Sequence, residues 1–108
     1  MAGSCSPVVV LVQWNTSKAS KTFFEYSSLE EALLGICSWY ENQLRQVRPH
    51  LTRIRYEANE LLLFLQQLPQ LQCLLYDSRE GKYVPYGKEW IKQRMLGFLT
   101  RKANKSYY

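Results

Sequence analysis

The chain has little of what catalysis uses. Its one histidine, His50, stands beside Pro49 in a loop. A nucleophilic triad needs an oriented base, and no neighbour of His50 suggests the orienting partner. Cys5, Cys37 and Cys73 are an odd set without ligand spacing, so zinc has no recognisable site. The five glycines form neither a phosphate loop nor a dinucleotide fingerprint. Adjacent carboxylates occur only as Glu30 and Glu31, which point to different parts of a helix surface and serve capping and dipole compensation. The expectation is a protein that is not an enzyme and holds no metal or cofactor.

Long apolar runs are also missing. Val8 to Val12 gives five consecutive apolar residues, far too few to cross a bilayer. Met1 to Ser6 lacks the basic start and apolar stretch of a signal peptide, and Gly3 is misplaced for myristoylation. A cytosolic or nuclear protein without a membrane partner follows. In a reducing compartment the thiols stay free, with Cys37 and Cys73 as small core residues and Cys5 in a loose terminus.

What the chain does have is a strand that is apolar on both faces. Alternation puts Val8, Val10 and Val12 on one face and Val9, Leu11 and Gln13 on the other. Helices of one small domain can cover one face of a sheet; a second copy of the chain is the simplest cover for the other. At 108 residues a single domain is expected over 1–108, with 1–6 and 104–108 as flexible ends.

Further elements follow from patterning. KTFFEY, Lys21 to Tyr26, reads as a second strand pairing with the first. Ser28 and Glu31 form a capping box, with the Glu31 carboxylate reaching back to the cap. The helix it opens runs from Leu29 to Val47, with a core stripe of Leu29, Leu33, Ile36, Tyr40, Leu44 and Val47. Gly35 in that helix lets a neighbouring element approach closely. Ile54 to Tyr56 is a short extended link. A second helix spans Glu57 to Leu68, where apolar Leu62 and Leu63 widen the band into either contact surface or core. Leu71 to Tyr76 is a third strand, with Gln72, Leu74 and Tyr76 on one face. Gly81 supplies a left-handed turn into a fourth, Lys82 to Tyr86, which Pro85 marks as an edge. A last helix, Lys88 to Ala103, buries Ile91, Met95, Phe98 and Leu99 and turns Trp90, Arg94, Gly97 and Arg101 the other way. The fold class is α+β: a four-stranded antiparallel sheet with three helices on one face, in the order β-β-α-α-β-β-α.

Charge is uneven. From Arg79 onward eight basic residues face two acidic ones, a net of +6, whereas the preceding residues sum to −1. Such an end suits an acidic partner, nucleic acid or protein, or is simply a solvated helix face. Trp90, Arg94, Arg101 and Lys102 are the candidate contacts. The signature of an RNA-recognition motif is absent, and Trp90 is expected to pack on Tyr86 with Arg94 stacked outside it. Thr22 and Ser28, each followed three residues later by a glutamate, fit acidophilic-kinase sites.

VVVLVQ at Val8 to Gln13 and the helix-one pattern ending CSWYE at Cys37 to Glu41 resemble the enhancer of rudimentary homolog family. So do LQCLLY at Leu71 to Tyr76 and YVPY at Tyr83 to Tyr86 leading into EWIK at Glu89 to Lys92. The likeness covers about residues 8 to 103. It implies the sheet and helices above and a homodimer through the other sheet face, with Val9 and Leu11 at the contact. Gln13, Leu74 and Tyr76 share that face. It further implies a nuclear adaptor that binds peptide segments of RNA-processing and transcription proteins, including a subunit of the microRNA-processing complex. The residues matching Thr22 and Ser28 fit the family's casein-kinase-II-type sites. The chain departs from the family at Pro7, where a histidine is usual, and in the second helix, which is often acidic. These departures point to a more acidic or more apolar peptide partner. The competing expectation is direct RNA or DNA binding through the basic last helix.

Overall fold

A computed structural model describes residues 6–50 and 56–105, with side chains as far as Arg101. Strand β1 (Val8–Gln13) leads through one turn of 3-10 helix (Lys18–Ser20) to β2 (Lys21–Tyr26). Helices α1 (Leu29–Val47) and α2 (Ala58–Gln67) precede β3 (Gln70–Asp77), β4 (Lys82–Tyr86) and α3 (Lys88–Lys105). The strands form one sheet in the order β2-β1-β3-β4, every pair antiparallel. The expected α+β architecture is therefore the observed one. The expectations for Cys5, for Ile54 and Arg55 of the extended link, and for the Lys102 side chain lie outside the described residues, as do most of the two chain ends.

The core lies between the sheet and the helices. Val8, Val10 and Val12 of β1 and Leu71 and Cys73 of β3 point into it. From the helices come Ala32, Leu33, Ile36 and Cys37 of α1, Leu61 and Leu65 of α2, and Ile91, Met95 and Phe98 of α3. Helix α1 packs on β1 and β2, α3 on β3, and α2 against α3 and α1. Cys37 and Cys73 are core thiols, and burial pushes Cys73 up to about 11. The Cys37 sulfur lies 3.7 Å from that of Met95.

Several local expectations are met. Gly81 has φ +67°, and Asp77 Oδ1 accepts from the amides of Arg79 and Glu80 at 2.9 and 3.3 Å to shape the turn. β4, with Pro85, is an edge strand. Two differ. Val47 is 69% exposed, because α1 outruns the core in its last turn. The Ser28 hydroxyl caps Glu31 N at 3.1 Å, but the Glu31 carboxylate passes the cap residue and accepts from the backbone and hydroxyl of Ser27 instead. In α2, Leu62 packs partly against the core, whereas Leu63 is 62% exposed.

Candidate functional site

The sheet face away from the helices carries Val9, Leu11 and Gln13 on β1, with Leu74 and Tyr76 on β3. The register decides which side chains sit together. Leu11 lies opposite Phe23 and Gln72, and Val9 opposite Glu25 and Leu74. Leu74 in turn faces Pro85, and Tyr76 faces Tyr83. Directly opposed residues of an antiparallel pair share a face, so Phe23, Val9, Leu11, Leu74, Tyr76, Tyr83 and Pro85 share one face, an apolar band that Glu25 and Gln72 interrupt toward the β2 side and the β3 end. Leu11 is 36% exposed, Tyr76 42% and Phe23 60%. A shallow depression of about 270 Å³ opens among Leu11, Phe23, Lys21 and Gln72.

Gln13 behaves differently from its neighbours on that face. It is only 7% exposed, and its Nε2 donates to the Asn15 carbonyl at 2.7 Å. Its amide is thus engaged within its own chain. Phe23 was not singled out from sequence, although alternation in KTFFEY places it opposite to core-facing Phe24. At the other edge of the sheet Tyr76 N donates to the Pro7 carbonyl at 2.9 Å and Tyr83 Oη to that of Ser6 at 2.5 Å. These bonds tie the segment before β1 across β3 and β4, and Tyr76 and Tyr83 meet edge to face at 5.3 Å.

The basic face of α3 is built as expected around Trp90. Tyr86 stacks on its indole at 4.2 Å, and the Arg94 guanidinium lies over it, 5.0 Å from the ring centre. A nucleic-acid base stacking on this indole would compete with both neighbours. Arg94 and Arg101 are exposed and have no carboxylate partner among the described residues. Lys88 and Lys92 of the same helix have structural duties: Lys88 Nζ donates to the carbonyls of Leu68 and Gln66 at 2.5 and 3.1 Å, closing the end of α2. Lys92 reaches Gln66 Oε1 at 2.7 Å and Glu89 at 3.3 Å.

Thr22 and Ser28 are both exposed. Thr22 lies on edge strand β2, and its hydroxyl donates to the Ser20 carbonyl at 3.4 Å. Ser28 is the N-cap of α1.

A second concavity, of about 470 Å³, lies between the exposed side of α1 and the end of α2. Trp14, just past β1, meets Trp39 of α1 edge to face at 4.9 Å, and Phe24 completes the cluster at 5.3 Å from Trp39. Asn42, Gln43, Gln46 and Phe64 line the rest. Nothing local in the sequence connects Trp14 with Trp39; the packing of α1 on β1 and β2 does so.

Among the described residues no cluster of histidine, cysteine and acidic side chains could hold a metal ion. Nor is any described helix long and apolar enough to cross a membrane.

Comparison with known proteins points to a single family. The profile of the enhancer of rudimentary family matches residues 4–105. An enhancer of rudimentary homolog of Dictyostelium discoideum is 41% identical over 98 residues, spanning 91% of this chain and 98% of the relative. The Arabidopsis thaliana homolog is 38% identical over 96 residues, 89% of this chain and 88% of its own length. The Drosophila virilis protein enhancer of rudimentary is 32% identical over 98 residues, 91% and 94% of the two chains. The family's name is not that of an enzyme. The chain belongs to the enhancer of rudimentary family.

Proposed function

We propose that this protein is a non-enzymatic homodimeric adaptor of the nucleus, presenting two equivalent surfaces to peptide segments of RNA-processing and transcription-regulatory proteins. The observation that carries the reading is the uncovered apolar sheet face. Leu11, Phe23 and Tyr76 stand exposed there beside Val9 and Leu74, and an exposed apolar band of this kind marks an interaction site. A second copy meeting it face to face gives a closed, two-fold arrangement with the helices outside. Gln13 would lie at the rim, since its amide is already satisfied within the chain.

Val9→Arg with Leu11→Arg would bury uncompensated charge at such a contact. Light scattering should then report monomers or insoluble protein, and a stable dimer would reject this face. Capture of the intact protein's partners from nuclear extract, read by mass spectrometry, tests the adaptor role. RNA-processing and transcription factors are expected.

Direct RNA or DNA binding is the second reading, favoured by Arg94 and Arg101 on α3, which have no carboxylate partner among the described residues. The Tyr86 ring and Arg94 guanidinium already stacked on Trp90 weigh against base stacking there. Partners lost when the extract is treated with nuclease would favour this reading over the first. Phosphorylation belongs to the same proposal. A phosphate on Ser28 would meet the free amides at the start of α1, but also the nearby Glu31 carboxylate.

A further inference from the structure

The uncovered sheet face carries two charges within its strands, and both lie on the edge strand β2. Register with β1 puts Lys21, Phe23 and Glu25 on this face, opposite Gln13, Leu11 and Val9. On β3 and β4 the same face bears Gln70, Gln72, Leu74, Tyr76, Tyr83 and Pro85, none of them charged. Lys21 and Glu25 are exposed and flank Phe23 symmetrically, two residues to either side. Four residues of strand hold them about 13 Å apart with Phe23 between them. Among the described residues neither has an ion-pair partner. The Glu25 carboxylate accepts from the Ser6 hydroxyl at 2.8 Å, and Lys21 lines the shallow depression beside Leu11 and Phe23.

We infer that in the homodimer Lys21 of each copy pairs with Glu25 of the other, so that β2 lies antiparallel over its own copy. Resting on the homodimer of the proposed reading, this pairing gives it an orientation. A face-to-face dimer has its two-fold axis in the plane of contact. With the strands of the two sheets aligned, that axis either crosses them or runs along them. An axis crossing at Phe23 and Leu11, which are register partners, lays each of these on its own copy and sets Lys21 against Glu25 twice. An axis along the strands lays β2 on β4, which presents Tyr83 and Pro85 on this face and no charge. Both charges would then enter the contact unpaired, at a desolvation cost that the first orientation offsets.

Self-complementarity is what singles out a second copy as the occupant. The two charges are opposite in sign and equally spaced from Phe23, so a reversed copy meets both. Nor can β2 be left outside the contact. A stable interface takes about 800 Å² from each partner, and the four strands span only roughly 20 Å by 20 Å.

Lys21→Glu and Glu25→Lys, made singly in the full chain, test the pairing. Both positions are exposed and outside the core, so either variant should fold. Each sets like charges against one another twice across the contact. The dissociation constant, followed by light scattering on dilution, should rise about tenfold or more in each. An equimolar mixture of the two variants should regain the parent's affinity, because there every charge meets its opposite. With one variant isotope-labelled, native mass spectrometry should find heterodimer well above the half expected from random exchange. The mixture separates a contact between copies from an effect within one chain, which would persist in it. Parent-like dissociation of both single variants, or random mixing, overturns the pairing and leaves the dimer standing. A parent protein that stays monomeric removes the adaptor reading itself.

Discussion

Gly35 is where one missing atom group sets the relation between two elements. A β-carbon built there would lie 2.7 Å from Cε1 and Cζ of Tyr26, whose ring from β2 rests on this part of α1. Glycine in mid-helix costs about 1 kcal/mol against alanine, so it has a structural reason to be present. Gly35→Ala should recover that propensity but drive the Tyr26 ring off its seat, at a cost of about 1–3 kcal/mol for overpacking. The expected net is a loss of about 1 kcal/mol, read as a lower urea midpoint. In a Tyr26→Ala background the same substitution should become stabilising, because only the helix propensity then remains. Equal effects in both backgrounds would show that the ring is not the reason for the glycine. That something packs closely here was legible from the glycine itself; which residue does so was not, because it is decided by the tilt of α1 on the sheet. Gln13 shows the same limit. Alternation assigns its face, but its burial depends on where the Asn15 carbonyl turns after the strand ends.

Among the elements, those with a strong period and a clear stop were readable almost to the residue. Leu29–Val47 and Lys82–Tyr86 coincide with their expected bounds, because Ser28, Pro49 and Gly81 punctuate them. Docking was less legible: Val47 keeps the helical period of the α1 stripe yet lies beyond the core. The start of α1 shows why side-chain reach is also hard to foresee. Both donors of Ser27 converge on Glu31, and these bonds hold its carboxyl below the usual carboxylate range. The sign follows from a depressed folded-state pKa. The stabilising contribution is complete above the unfolded-state value and disappears as the pH falls through the folded-state value. Glu31→Gln should therefore differ in thermal midpoint from the parent protein at neutral pH and converge with it in acid. The Ser27→Ala variant loses one of the two donors, so its Glu31 should titrate at higher pH by NMR. An unchanged titration would mean that the hydroxyl does not hold the carboxylate.

At the scale of the whole molecule, the bare sheet face offers no spare area over what a stable contact demands. An interface of ordinary size takes about 800 Å² from each partner. The four strands span only roughly 20 Å by 20 Å, before side-chain relief is added to that flat area. A dimer through this face must then use nearly all of it, from Phe23 at one edge to Tyr76 and Tyr83 at the other. Two consequences can be measured. Stability should depend on protomer concentration, because association binds the folded chain and not the unfolded one; the thermal midpoint should rise with protein concentration from the low micromolar range upward. Phe23→Asp, at an exposed position with no part in the core of its own chain, should lower the midpoint at low concentration. Its dissociation should occur at protein concentrations about tenfold or more above those of the parent. If Phe23→Asp left both dissociation and the concentration dependence unchanged, the contact would have to be smaller than the face, centred on Val9 and Leu11 and short of β2. A midpoint independent of concentration in the parent protein would leave the apolar face facing water, and the dimer with no physical cause.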